Sequence, residues 1–204
     1  MIIFSGLPAS GKTTMGKILA EELNWEFIDT DRLIEKAYNK KPATCSEIFK
    51  EEGKKYFREL EKNQIIAIVD KKTPTVVALG GGALNDPDNV KILRSAGTLI
   101  YLQVPLEVVW KRIEQRGIPA YLDPTNPEQS FHELAQKRIP LYEKASHITL
   151  KTAVQNGKNI WQVILSETFS KSQHGESPME KPSESSSMDV LQVSNLLKMI
   201  LMKL

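Results

Sequence analysis

The chain is 204 residues long, with 41% apolar and 25% charged side chains, and 27 basic against 25 acidic residues give a net charge of +2. That balance excludes a broad basic field for duplex nucleic acid and an acidic solvating tail, and the length fits one domain with enough apolar residues for a core. The lone cysteine, Cys45, forms no intrachain disulfide, and no Cys/His cluster offers a structural zinc site. No apolar run reaches the ~18 residues of a membrane span, and the first residues show no basic-then-apolar leader, so a cytoplasmic protein with no membrane partner is expected.

In chain order, residues 2–4 predict a short strand and 12–23 a helix. Residues 26–28 read as a second strand, and 32–38, 45–49 and 54–69 as helices. The β-branched run 74–79 predicts a strand leading into three consecutive glycines, and 88–95 a short helix. A strand over 97–102, helices over 105–114 and 128–145, a strand over 148–150 and a closing helix over 158–165 complete residues 1–168. Strands alternating with helices predict an α/β fold, with a parallel sheet of about five strands and helices on both faces.

Composition then shifts. Seven of the eight serines from residue 169 onward fall in 170–187, with two prolines and no aromatic residue, so 169–187 reads as a disordered linker. In 188–204, Val190, Val193, Leu197, Ile200, Leu201 and Leu204 recur at helical spacing. Such a helix packs back on the domain, frays, or meets a partner; Lys198 and Lys203 give only weak attraction to a membrane surface.

Gly6-Leu-Pro-Ala-Ser-Gly11-Lys12-Thr13 matches the phosphate-binding pattern G-x-x-x-x-G-K-[ST], between a predicted strand and a predicted helix. The nucleotide side is thus Gly6, Ala9, Ser10, Gly11, Lys12, Thr13 and Thr14. Backbone N–H groups and a helix N-terminus face an anion there, Lys12 reaches the β- and γ-phosphates, and the Thr13 hydroxyl faces Mg²⁺. The expected ligands are a nucleoside triphosphate and Mg²⁺. A guanine-binding Asn-Lys-x-Asp is missing, because Lys41 and Pro42 follow Asn39-Lys40. Asp70 ends a helical pattern and reads as a solvated helix end.

Asp29 and Asp31 follow the second predicted strand, at the sheet edge where ligands bind in open parallel sheets. One can hold Mg²⁺ through water and the other accept a hydrogen bond from a substrate hydroxyl; Asp31 can also cap the following helix. With 21 Lys and only six Arg, each arginine (32, 58, 94, 112, 116, 138) calls for an explanation. Arg32 and Arg94 read as surface residues. His132, His147 and His174 read as structural or solvated, and Trp25, Trp110 and Trp161 as core, so no stacking platform for nucleic acid is expected.

The sequence resembles the shikimate kinases. The resemblance rests on Gly6–Thr13, Asp29-Thr30-Asp31 with Ile34-Glu35, Glu47-Ile48-Phe49 with Gly53, Phe57-Arg58-x-x-Glu61, Gly80-Gly81-Gly82, and Arg138-x-Pro140-Leu141-Tyr142-x-x-Ala145. It implies a three-layer P-loop kinase fold with a mobile lid. It also implies transfer of phosphate from ATP to the 3-hydroxyl of shikimate, on the chorismate route to aromatic amino acids; a monomer is expected, though the sequence itself carries no signal of oligomeric state. By the same resemblance Asp31 contacts the accepting hydroxyl and Asp29 supports Mg²⁺ with Thr13. Arg58 and Arg138 hold the carboxylate, Gly80, Gly81 and Gly82 lie against the ring, and Arg112 stacks on adenine. Planar guanidinium forks suit a planar carboxylate better than ammonium groups do.

The lid departs from the family pattern. If Pro119 matches the family's lid proline, Ile118 stands where an arginine belongs, and Arg116 is the candidate substitute, provided Gly117 lets the loop fold over the site. Residues 123–127 supply no basic group. A gluconate- or adenylate-type kinase, or a non-catalytic nucleotide-binding module with an altered lid, are the competing readings.

Overall fold

The computed structural model describes residues 1–155, 158–165 and 190–201. Strands β1 (Ile2–Ser5), β2 (Glu26–Asp29), β3 (Thr75–Ala78), β4 (Thr98–Gln103), β5 (Ile148–Gln155) and β6 (Lys158–Leu165) form one sheet in the order β2-β3-β1-β4-β5-β6. The first five in that order pair in parallel, and β6 runs antiparallel to β5. Central strands carry continuous β-branched and apolar runs because both faces are covered. All of β1 and β3 is buried, with Ile3 in register with Val77 on one side and Leu99 on the other.

The helices are α1 (Lys12–Leu23), α2 (Thr30–Ala37), α3 (Cys45–Val69), α4 (Pro87–Ala96), α5 (Leu106–Arg116), α6 (Pro127–Ala145) and α7 (Val190–Leu201). Their starts follow local chemistry. Asp29 caps α2, Asp86 with Pro87 opens α4, Asn126 with Pro127 opens α6, and Thr44 with Glu47 forms a capping box on α3. Helix α3 is broken at Gly53, whose φ of +82° and ψ of 171° are not helical, so the two helices predicted for 45–49 and 54–69 meet at that residue. Asp70 closes α3. A small second core of Ile34, Tyr38, Ile48 and Phe57 joins α2 to α3, apart from the main core around the sheet.

Two predictions for the end of the domain fail. Residues 158–165 form a strand, not a helix, and the strand predicted for 148–150 continues to Gln155. The register runs from Ile148 opposite Leu165 to Gln155 opposite Lys158. The sheet therefore gains an antiparallel sixth strand. The apolar run Ile160, Trp161, Val163, Ile164 fits either periodicity, and the Asn156-Gly157 pair between the two runs is the hairpin signature that decides it. Helix α7 packs on β6, with Val193 and Leu197 buried in the main core. The linker predicted for 169–187 lies outside the described residues, as does His174.

Candidate active site

Three loops leave the C-terminal ends of β1, β2 and β3 side by side. After β1 the chain wraps through Gly6, with φ +142°, into Gly11, with φ +101°, which caps α1. A Cβ at Gly6 would stand 2.9 Å from the Leu102 carbonyl oxygen, so both conformation and space require glycine there. Ala9 shares the left-handed backbone (φ +58°), and Ser10 N–H donates to Leu7 O at 3.2 Å to close the turn. The Lys12 ammonium folds over this loop and donates to Gly6 O (3.0 Å) and Leu7 O (2.8 Å). Burial lowers its pKa to about 8, against the raising influence of Asp31 and Asp29. Thr13 and Thr14 are exposed on the first turn of α1. From α5, Arg112 Nη1 donates to Ala9 O at 3.2 Å and Ser10 O at 3.4 Å, which places its guanidinium against the phosphate loop.

β2 ends at Asp29, whose Oδ1 accepts from Asp31 N at 3.1 Å while its Oδ2 accepts from the Thr13 hydroxyl at 2.8 Å. Asp29, not Asp31, is thus the cap of α2: the residue at the strand end still has extended backbone (φ −107°, ψ 118°), as a cap requires. The Asp31 carboxyl is left free to face the site. Burial pushes it up to about 6, with Asp29 and Glu61 adding to the rise and Lys12 opposing it.

After β3 come the three glycines, and each presses on a different candidate. A Cβ at Gly80 would lie 2.4 Å from Asp31 Oδ1, one at Gly81 3.2 Å from Arg138 Nη1, and one at Gly82 2.4 Å from Arg58 Nη2. The Gly81 position also touches the Pro8 ring, so the acceptor side and the phosphate loop adjoin. Arg58 pairs with Glu61, one turn along α3 and 2% exposed. Burial raises the Glu61 pKa, opposed by Arg58. On α6 the buried Tyr142 hydroxyl donates to Gly81 O at 2.6 Å beside Arg138, and burial pushes its phenol up to about 12. A cavity of about 690 Å³ opens beyond the two arginines, lined by Lys54, Asp86, Leu134 and Lys137 among others.

The structure therefore brings Lys12, Thr13, Asp29, Asp31, Arg58, Arg112, Arg138 and the triple glycine to one sheet edge. Arg116 stands apart, at the exposed last turn of α5, with no hydrogen bond or ion pair among the described residues. Gly117 follows it with φ +98° and no atom within 4 Å of where a Cβ would stand. Arg94 is not a free surface group: it is partly buried and donates to Ala145 O at the end of α6. His147 accepts from Leu99 N at 3.0 Å, and Trp110 packs against Phe131 in the core, both structural. Three residues of the site were not singled out from the sequence as site members: Glu61, Tyr142 and Thr30. The first two lie inside recognised motifs; a threonine between two aspartates carries no signal of its own.

A strand, phosphate loop and helix beside a parallel sheet, with a carboxylate and two arginines facing the loop, define a P-loop phosphotransferase for a small anionic acceptor. The shikimate kinase family model matches residues 8–168. The chain is 39% identical over 144 residues to the shikimate kinase of Thermodesulfovibrio yellowstonii, covering 71% of this chain and 81% of that one. It is 37% identical over 163 residues to that of Persephonella marina, covering 80% and 93%. The structure of shikimate kinase from Acinetobacter baumannii in complex with shikimate superposes with a TM-score of 0.68 at 35% identity, covering 76% of this chain and 84% of that one. The chain belongs to the shikimate kinase family, and it is an ATP-using enzyme of that kind.

Proposed function

We propose that this chain transfers the γ-phosphoryl group of ATP to the 3-hydroxyl of shikimate, giving shikimate 3-phosphate and ADP. The observation that carries this reading is the triple glycine: three consecutive residues without side chains let Asp31, Arg138 and Arg58 converge beside the phosphate loop. That leaves one carboxylate to meet a hydroxyl and two guanidinium forks to meet a carboxylate. Arg58 is oriented by buried Glu61 and Arg138 by its place beside Tyr142.

Phosphoryl transfer proceeds mainly by positioning and charge stabilisation. Lys12 moves from the loop carbonyls onto the β- and γ-phosphates, and Gly6, Ala9, Ser10, Gly11, Thr13 and Thr14 present the loop and helix N-terminus to them. Arg112 supports the loop from α5 and faces the adenine side. Asp31 orients the accepting hydroxyl and takes its proton as the bond to phosphorus forms. Arg116 supplies the lid's cation when the segment after Gly117 folds over.

Thr13 and Asp29 fit Mg²⁺: a hydroxyl and a carboxylate, both hard oxygen donors, lie 2.8 Å apart beside the loop. No group of three or more acidic, His or Cys side chains that could cage a metal occurs among the described residues, which suits an ion held partly by water and nucleotide phosphates. Bound there, Mg²⁺ would neutralise phosphate charge. We infer a monomer in the cytoplasm; the single cysteine suits a reducing compartment. Among the described residues no helix is long and apolar enough to cross a membrane.

The test is ADP release from ATP·Mg²⁺ with shikimate, gluconate or AMP as acceptor. Shikimate-dependent release is expected, with neither alternative above background. Release with gluconate instead would reassign the acceptor, and ATP binding without turnover on any acceptor would favour a binding module.

A further inference from the structure

The triple-glycine turn is held by side chains from two sides. The Thr30 hydroxyl, 1% exposed, accepts from Gly80 N at 2.7 Å across 50 residues of sequence. The Tyr142 hydroxyl, 2% exposed, donates to Gly81 O at 2.6 Å from α6. Behind the turn, Ala83 N donates to Gly80 O (3.1 Å) and Asn85 N to Gly82 O (3.1 Å), and buried Asn89 Nδ2 holds Ala83 O (3.0 Å). There is little slack in front: the sites where Cβ atoms would stand are already within 2.4–3.2 Å of Asp31, Arg138 and Arg58. A small shift of the turn must therefore displace one of those three groups.

Thr30 occupies a particular place in this. It lies between Asp29, which reaches the Thr13 hydroxyl on the nucleotide side, and Asp31, which faces the acceptor. Its own side chain turns inward to the turn. No other hydroxyl is bonded to the Gly80 amide among the described residues. Without it, a buried N–H would be unpaired, and the turn would move to satisfy it.

We propose that Thr30 is a positioning residue of the acceptor site. Its hydroxyl, with Tyr142 on the other flank, fixes the Gly80–Gly82 turn and so sets the spacing between Asp31 and the Arg58/Arg138 pair. That spacing is what selects a small ring carrying a carboxylate and an accepting hydroxyl two ring positions away from it. The proposal rests on the reading of this cleft as the shikimate site.

Thr30→Val keeps the shape and removes the acceptor oxygen; Thr30→Ser keeps the oxygen. Expected for Thr30→Val is a roughly tenfold rise in KM for shikimate with a lowered kcat, since sub-ångström misplacement is costly to oriented reactants. KM for ATP should stay within about twofold, and Thr30→Ser should return the shikimate constants to near wild type. Amide hydrogen exchange at Gly80, read in the intact protein without turnover, should lose protection in Val and keep it in Ser. Should Thr30→Val not fold, Tyr142→Phe cuts the other tether and is expected to give the same split between shikimate and ATP. A folded Thr30→Val with unchanged Gly80 exchange, or with lost protection but wild-type shikimate constants, overturns the proposal. Wild-type protein that shows no shikimate-dependent ADP release overturns the functional reading instead, so the two failures are separable.

Discussion

Asp31 carries two demands that pull against each other. It must be ionised to take a proton from the accepting hydroxyl, yet it is buried beside Asp29 and Glu61, with Lys12 as its principal favourable partner. Its carboxyl is raised from 3.8 to about 6, so it titrates just below neutrality. A raised carboxyl contributes stability below pH 3.8 and loses it as pH rises through 6. At pH 7.5 the ionised group costs the fold about 2–3 kcal/mol on that shift. Asp31→Asn removes the cost, though Lys12 loses a partner and offsets part of the gain. The variant is expected to melt higher than wild type at pH 7.5, with the gap closing toward pH 4. Its turnover should fall by roughly 10²–10⁴-fold, the usual worth of a general base, while ATP affinity stays within about twofold. Calorimetric melting at the two pH values and coupled ADP release check both halves, and unchanged turnover would remove Asp31 from the chemistry. Much of the site was legible at this scale because its chemistry is concentrated in unusual residues: six arginines among 21 lysines, paired aspartates, three glycines in a row. Thr30 was not legible, because its role lies in a contact 50 residues distant.

At the scale of elements, sequence reading worked where local signals were strong and failed where tertiary pairing decides. The loop, its strand and α1 announce themselves together, and the caps at Thr44 and Asp86 fix where α3 and α4 begin. β6 was misread because a short apolar run carries no length to separate strand from helix. The helix-to-loop junction after α5 is the element with most left to do. Arg116 ends α5, and exposed Ile118 and Tyr121 follow, while Leu122 is buried as an anchor at the far side of the segment. With Leu122 as anchor and Gly117 as hinge, residues 118–121 are the part that can close and exclude water, and the long Arg116 side chain, at the hinge itself, is the cation proposed to reach the phosphates beneath them. Arg116→Ala is expected to lower kcat about 1000-fold, the lower end of what a transition-state arginine is worth. Arg116→Lys should recover little of it, because a point charge cannot replace the fork. Steady-state kinetics on both variants decide the matter, and wild-type constants in Arg116→Ala would exclude it from the lid.

At the scale of the molecule, function and appendage sit at opposite edges of one sheet. The site gathers over β1, β2 and β3, whereas α7 packs on β6, three strand spacings from β1 and about 14 Å away in the hydrogen-bonding direction. Residues 169–204 carry four lysines and four acidic residues, so the whole +2 belongs to residues 1–168 together with all six arginines. Near-neutrality excluded a polyanion partner without excluding small anions, which need a few guanidinium groups correctly placed. The α7 helix contributes to folding through Val193 and Leu197, at 0% and 1% exposure within the core that also holds Ile148 and Leu150. Burying two such side chains is worth roughly 3–6 kcal/mol. Deleting residues 170–204 should therefore lower Tm by about 10 °C in a domain of this size. It should leave kcat and both KM values at 25 °C within about twofold, because α7 packs on β6, the strand at the edge of the sheet away from the site. Thermal melting and ADP release on the truncated chain test the two parts separately. An unchanged Tm would mean that α7 adds nothing to the core, and a folded but inactive truncation would mean that the far edge of the sheet reaches the site.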